Sequence, residues 1–168
     1  MSETRDGRKR ADYQKLSSTF KVVNRYVLVL WWLHLGWCMS ICPPLSGRVM
    51  LISHTGRKSG IVRQTPVNYR MIDGSVWLMA LPTAAWWRNL QAEPRTELHL
   101  PFRRRRGVVT EVPIDAKHLE QIRAVLTAGG WIAATLDRFH GRRASDAEVL
   151  QHVHGFHLLR VGDLERIR

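Results

Sequence analysis

The residues best suited to chemistry lie in one stretch: Thr55, Gly56, Arg57, Lys58, Ser59 and Gly60, followed by Arg63, Thr65 and Pro66. Its glycines let the backbone turn sharply and let a ligand approach the main chain. Arg57, Lys58 and Arg63 set three cations within seven residues. Ser59 adds a hydroxyl, and the N–H groups of such a turn can form an anion-binding nest. The chemistry this suits is a grip on phosphate or carboxylate. It is not a Walker A loop, because the spacing is too short and no helix follows. The plainer reading is a solvated basic hairpin turn. Two features weigh against it. Pro66 falls inside an expected strand, where a missing N–H is tolerated only at an edge or bulge. Downstream, Trp86, Trp87 and Asn89 put adjacent aromatics beside an amide.

Other candidates carry less. His152, His154 and His157 are close in sequence, but no cysteine is near, and in an extended chain His157 would face away from the other two. No metal is expected there, and the histidines are read as surface or capping groups. Arg103, Arg104, Arg105 and Arg106 are read as a solvated turn, or else as part of a site for an anionic tail or lipid headgroup. Cys38 and Cys42, the two cysteines, are read as buried thiols on one helix face in a reducing, cytoplasmic setting. No Ser-His-Asp spacing marks a nucleophile, so no catalytic residue is assigned.

Composition narrows the partner. The chain of 168 residues has the length of one ordinary domain. It is 45% hydrophobic and 24% charged, which excludes wholesale disorder. Lys and Arg number 26 against 14 Asp and Glu, a formal net charge of +12. Twenty-one of the cations are arginine, the residue that grips phosphate or carboxylate bidentately. Something anionic is therefore expected: a nucleic acid, an acidic membrane or a phosphorylated small molecule. Nucleic acid is disfavoured, because its readers interleave aromatics with charge and here the tryptophans cluster elsewhere.

The elements that must position these residues follow from pattern. Residues 1–11 read as a polar, disordered arm, and 12–47 as an apolar N-terminal helix and its breaker at Pro43 and Pro44. The stretch 26–42 has no charged residue and reads as an interfacial or self-docked helix rather than a span. No secretory signal is expected. Residues 48–168 form the folded domain. Strands are expected over 48–54, 62–72, 75–81, 97–102, 107–114 and 156–161, with Asp73 and Gly74 as a hairpin turn. Helices are expected over 84–92, from Asp115 to Gly129 and Gly130, over 131–139, and over 146–153. The fold class is α+β: a mostly antiparallel barrel-like sheet of about six strands, with helices outside it.

Together, Gly56, Arg57, Lys58, Ser59, Gly60, Arg63, Thr65, Pro66 and Tyr69, with Trp86, Asn89, Leu90 and Pro94, resemble the deazaflavin-dependent nitroreductase family. That family includes quinone reductases using coenzyme F420 (8-hydroxy-5-deazaflavin). The resemblance covers residues 48–100. It implies a split β-barrel with the cofactor in a groove at its edge. Arg57, Lys58, Ser59 and Arg63 would hold the phosphate and acidic tail. Thr65, Pro66, Val67 and Asn68 would run along the ring, with Met79, Ala80, Leu81 and Pro82 on its other side. Trp86, Trp87 and Asn89 would close the site. The cofactor would pass hydride from C5 while the protein orients it. Two departures from the family pattern are plain. The loop after the third expected strand is short and lacks a Ser-Lys pair, and no tyrosine follows Tyr69. Trp131, Phe139 and His140 are the stand-ins for the substrate-side tyrosines.

The resulting expectation is a cytoplasmic oxidoreductase that reduces a quinone-like or other apolar acceptor. It would sit peripherally on the inner face of the cell membrane, with an anionic membrane surface and a second copy of the chain as further partners. The alternative is a non-catalytic or differently loaded relative binding a lipid, haem or a flavin such as FMN in the same groove. A basic nucleic-acid-binding module is the third reading.

Overall fold

Seven antiparallel strands form one sheet in the order β2-β1-β5-β6-β7-β4-β3. They are β1 (Val49–Thr55), β2 (Val62–Asn68), β3 (Arg70–Ile72), β4 (Ser75–Ala80), β5 (Arg95–Leu100), β6 (Arg103–Val112) and β7 (His157–Arg166). Among the described residues from 47 onward, the helices are α1 (Ala85–Ala92), α2 (Leu119–Leu126) and α3 (Asp146–His152), with 3-10 turns at either end of α2. This computed structural model describes residues 47–129 and 143–167, together with 28, 29, 32 and 33. The expected arm over 1–11, most of the expected helix over 12–41 and the expected helix over 131–139 lie outside the described residues. The chain divides into two compact units, residues 1–36 and 37–168. In the first, Val29, Trp32 and Leu33 are exposed, and Leu33 N–H donates to Val29 O at 2.9 Å.

The two ends of the sheet order are successive pieces of chain. The single strand expected over 62–72 breaks at Tyr69. Before the break, β2 pairs with β1, and Val67 lies opposite Met50. After it, β3 pairs with β4, and Arg70 lies opposite Trp77. Tyr69 N–H donates to Arg48 O at 3.1 Å, and its ring is buried in the core. A chain that leaves one sheet edge and joins the other brings those edges together, which yields a split β-barrel. The strand count therefore rises from the expected six to seven.

Alternation then assigns two layers. Met50 and Ile52 of β1, Val67, Val76 and Leu78 of β4, Leu98, Val109 and Leu159 fill the barrel with Tyr69. The opposite face of β4 and β7, with Trp77 and Leu158, packs against Ile122 and Val125 of α2, Val149 of α3 and Val153 just after it. Burying each such large side chain contributes about 1.5–3 kcal/mol. Asp115 caps the turn before α2 by accepting from the N–H groups of Lys117 and His118. Ser145 and Glu148 form a reciprocal capping box on α3. At the hairpin between β3 and β4, Asp73 and Gly74 have φ of 47° and 71°, the left-handed pair a type I′ turn requires.

The four-arginine run is a correction. It is the start of β6 rather than a turn: Arg103 pairs with Leu100, Arg104 with His99, Arg105 with Leu98 and Arg106 with Glu97. The turn is Pro101 and Phe102 instead. Backbone pairing with β5 overrides the like-charge repulsion of the run, helped by Glu97, which accepts from Arg106 at 2.8 Å. The last strand is likewise longer than expected, because β6 extends pairing as far as Arg166.

Candidate functional site

The turn from Gly56 to Ile61 closes the β1–β2 hairpin at one end of the barrel. Gly56 N–H donates to Ile61 O at 2.9 Å, and Gly60 N–H to Gly56 O at 2.7 Å. Ser59 Oγ accepts from Ile61 N–H at 3.4 Å. Gly60 sits at φ +66°, a conformation that favours glycine, and a Cβ on Gly56 would lie 2.5 Å from that Oγ and displace the Ser59 side chain. The tight turn leaves Arg57, Lys58, Ser59 and Arg63 exposed to solvent. Arg57, Lys58 and Ser59 on the turn, with Arg63 at the start of β2, make a donor set suited to phosphate and carboxylate.

The short helix α1 covers the same end, where β4 finishes and β5 begins. Trp87 and Leu90 anchor it in the barrel core. Asn89 faces the hairpin. Arg57 N–H donates to Asn89 Oδ1 at 3.3 Å, and Asn89 Nδ2 lies 3.0 Å from His54 Nδ1. His54 Nε2 is 3.0 Å from Thr65 Oγ1. His54, at 5% exposure, sits on the barrel-facing side of β1 beyond Ile52, and Arg63 lies opposite it on β2. Burial first, and the Arg63 charge second, hold its pKa below the ordinary value. His54 was not among the candidates read from the sequence. Its signal was parity: two residues after a buried apolar position and two before the glycine turn.

Strand alternation divides the four residues expected along the ring. Thr65 and Val67 share the barrel-facing side with Arg63, and Val67 is buried in the core. Pro66 and Asn68 face the other way. The strand that holds Pro66 is an edge strand, as its missing donor requires. Residues 79–82 divide as well. Ala80 faces the barrel core, whereas Met79 packs in the outer layer with α2 and α3. Leu81 is half-buried, its carbonyl accepting from Ala84 N–H at 2.9 Å, and Pro82 is exposed.

The paired tryptophans also separate. Trp87 is 4% exposed, lies 5.6 Å from the His157 ring, and its buried Nε1 has no hydrogen-bond partner among the described residues. Trp86 is half-buried against the same core. His157 Nδ1 is 2.6 Å from Glu111 Oε1, a pair between β7 and β6 that the sequence did not suggest. Of the two histidines near it in sequence, His154 is exposed, and the His152 ring is 6.1 Å from that of Phe156. Among the described residues, no three His, Cys, Asp or Glu side chains gather as a metal site would need.

Residues 39–129 match the F420H(2)-dependent quinone reductase family. The chain belongs to that family. The matched span contains the β1–β2 turn, the His54–Asn89 contact and α1, and it ends before α3 and β7. Among solved structures, a conserved hypothetical protein from Mycobacterium tuberculosis is 20% identical, over 70% of this chain and 73% of its own, with a TM-score of 0.46. An FAD-binding protein from Mesorhizobium loti is 14% identical, over 75% and 90% of the two chains, also at 0.46. The haem storage protein HutZ from Vibrio cholerae is 15% identical, over 71% and 85%, at 0.45. Among curated proteins, none matches.

Proposed function

We propose that this protein is an F420-dependent oxidoreductase that reduces a quinone-like apolar acceptor. The observation that carries the reading is the tied turn: Arg57, Lys58 and Ser59, held by Asn89 of α1, inside the span that matches the F420H(2)-dependent quinone reductase family. The donor set fits a polyanionic cofactor. Arg57, Lys58, Ser59 and Arg63 hold the phosphate and acidic tail. Thr65 and the open edge of β2 line the ring, and Trp86 covers it from α1. When bound, the reduced deazaflavin supplies a hydride from C5, which with one proton converts a quinone to a quinol. The protein's share is to bind, to orient and to keep one side of the ring dry. Exposed Ile61 and Val62 give the acceptor an apolar lip beside the cations.

Docking on an anionic membrane surface is part of the same proposal. At the barrel end away from the cationic turn, Phe102 is 79% exposed on a two-residue turn that runs directly into four arginines. An apolar tip among cations suits an anionic bilayer interface. No helix among the described residues is long and apolar enough to cross a membrane, so the attachment proposed is peripheral.

The deciding experiment is a titration of the full chain with F420, followed by fluorescence, with FMN and haem in parallel. Saturable F420 binding, then oxidation of F420H2 on adding a soluble quinone, is the expected result. Binding of FMN or haem with none of F420 overturns the reading in favour of a differently loaded relative.

A further inference from the structure

We propose that His54 is a positioning residue: fixed as the Nε2–H tautomer by Asn89, it turns the Thr65 hydroxyl into a hydrogen-bond donor aimed at the bound cofactor. The inference rests on the proposed function and deepens it. The chain of assignments begins at Arg57, whose backbone N–H can only donate. It therefore selects Oδ1 of Asn89, at 3.3 Å, and the amide cannot be turned over without setting two donors face to face. The Asn89 Nδ2 donor must then point at His54 Nδ1, at 3.0 Å, so that nitrogen is the bare, accepting one. The ring proton is left on Nε2, where it donates to Thr65 Oγ1 at 3.0 Å.

Thr65 Oγ1 thus has one lone pair taken and its own proton free, with no acceptor for it among the described residues. Thr65 lies on edge strand β2, two residues from Arg63 on the same barrel-facing side, and is half-buried. A hydroxyl that accepts from His54 keeps a second lone pair, and its own hydrogen can turn to a ligand acceptor. The relay runs from a backbone amide of the anion-gripping turn, through α1 and β1, to the edge that lines the ring. It sets two parts of one ligand site in a common geometry. Around His54 the facing groups are Arg63 of β2, Thr65, Asn89 of α1 and the Arg57 amide. A second ring proton, on Nδ1, would oppose the Asn89 amino group and break the relay at its centre.

The test uses the full chain and two readouts. Histidine side-chain nitrogen NMR of the wild type should show His54 with Nδ1 bare and Nε2 protonated, and the opposite tautomer overturns the proposal. In fluorescence titrations with F420, His54→Phe and Thr65→Val should each weaken binding by between about 2- and 12-fold, one hydrogen bond's worth. The double variant should be no weaker than the worse single, because both remove the same relay. Thr65→Ser, which keeps the hydroxyl, should restore wild-type affinity. Losses that add fully, or no loss in Thr65→Val, overturn the proposal while leaving F420 binding intact. Should the wild type bind no F420, the proposed function fails instead, and the tautomer measurement still decides the relay. If His54→Phe does not fold, the Thr65→Val and Thr65→Ser pair carries the affinity arm.

Discussion

The side-chain amide of Asn89 stands 3.0 Å from Nδ1 of His54, joining α1 to the end of β1 across 35 positions of sequence. The other end of the same amide accepts from the Arg57 backbone, so one residue ties the helix, the strand and the cationic turn together. Asn89→Ala would leave a buried imidazole nitrogen unpaired. The expected cost is about 1–3 kcal/mol, read as a shift of the urea unfolding midpoint without a change in slope. Asn89→Asp should not restore the wild-type arrangement, because a carboxylate draws the ring proton to Nδ1, as at the His157–Glu111 pair.

Lys58→Ala and Arg63→Ala each remove a charge-assisted contact. Each should weaken F420 binding by roughly ten-fold or more. Both side chains are exposed, so melting temperature should stay nearly constant. Wild-type dissociation constants in both variants would remove the turn from the site.

The two tryptophans of α1 should behave differently. Trp87, buried in the barrel, is structural, and Trp87→Ala should cost about 3–5 kcal/mol. Trp86→Phe should fold normally and lose part of the tryptophan quenching that accompanies cofactor binding. Equal quenching in wild type and Trp86→Phe would move the ring away from α1.

Stability should fall as acid is added below the ordinary histidine value of 6.5. Burial, with Arg63 second, depresses the pKa of His54, and burial, with Arg104 second, depresses that of His99. Below 6.5 the unfolded chain takes up protons that the folded chain does not, so each group's contribution is whole above that value and declines beneath it. The slope is at most about 1.4 kcal/mol per pH unit per group until the folded pKa is reached. Replacing both histidines by phenylalanine should flatten the melting temperature across this range. An unchanged slope would show that neither histidine is the cause.

Membrane docking predicts co-flotation with anionic liposomes at low salt and release at high salt. Phe102→Ser should weaken it without touching cofactor binding, since the hairpin tip and the cationic turn are at opposite ends of the barrel. Absence of flotation at low salt would refute the docking. Retention after carbonate extraction would refute its peripheral character.

Local chemistry made several features legible from the residues alone. Asp73 and Gly74 had to turn, Pro66 had to find an edge, and Asp115 had to cap, because each is governed by backbone geometry or by the nearest N–H groups. The Gly56 to Gly60 turn with its cations was readable for the same reason. Only the tertiary structure decided the rest. Val62 to Ile72 reads as one strand because no glycine or turn pair interrupts it, yet Tyr69 divides it between two sheet edges, a choice made by barrel closure. The arginine run became a strand because β5 offered it partners. Trp86 and Trp87, adjacent in sequence, parted because a helix turns 100° per residue and only one of them can enter the core. Parity along β1 marks His54 as inward-facing, but its partners come from β2 and α1 and could not be read from its own neighbours. Its tautomer is fixed by an amide 35 residues away, a distance no local pattern spans.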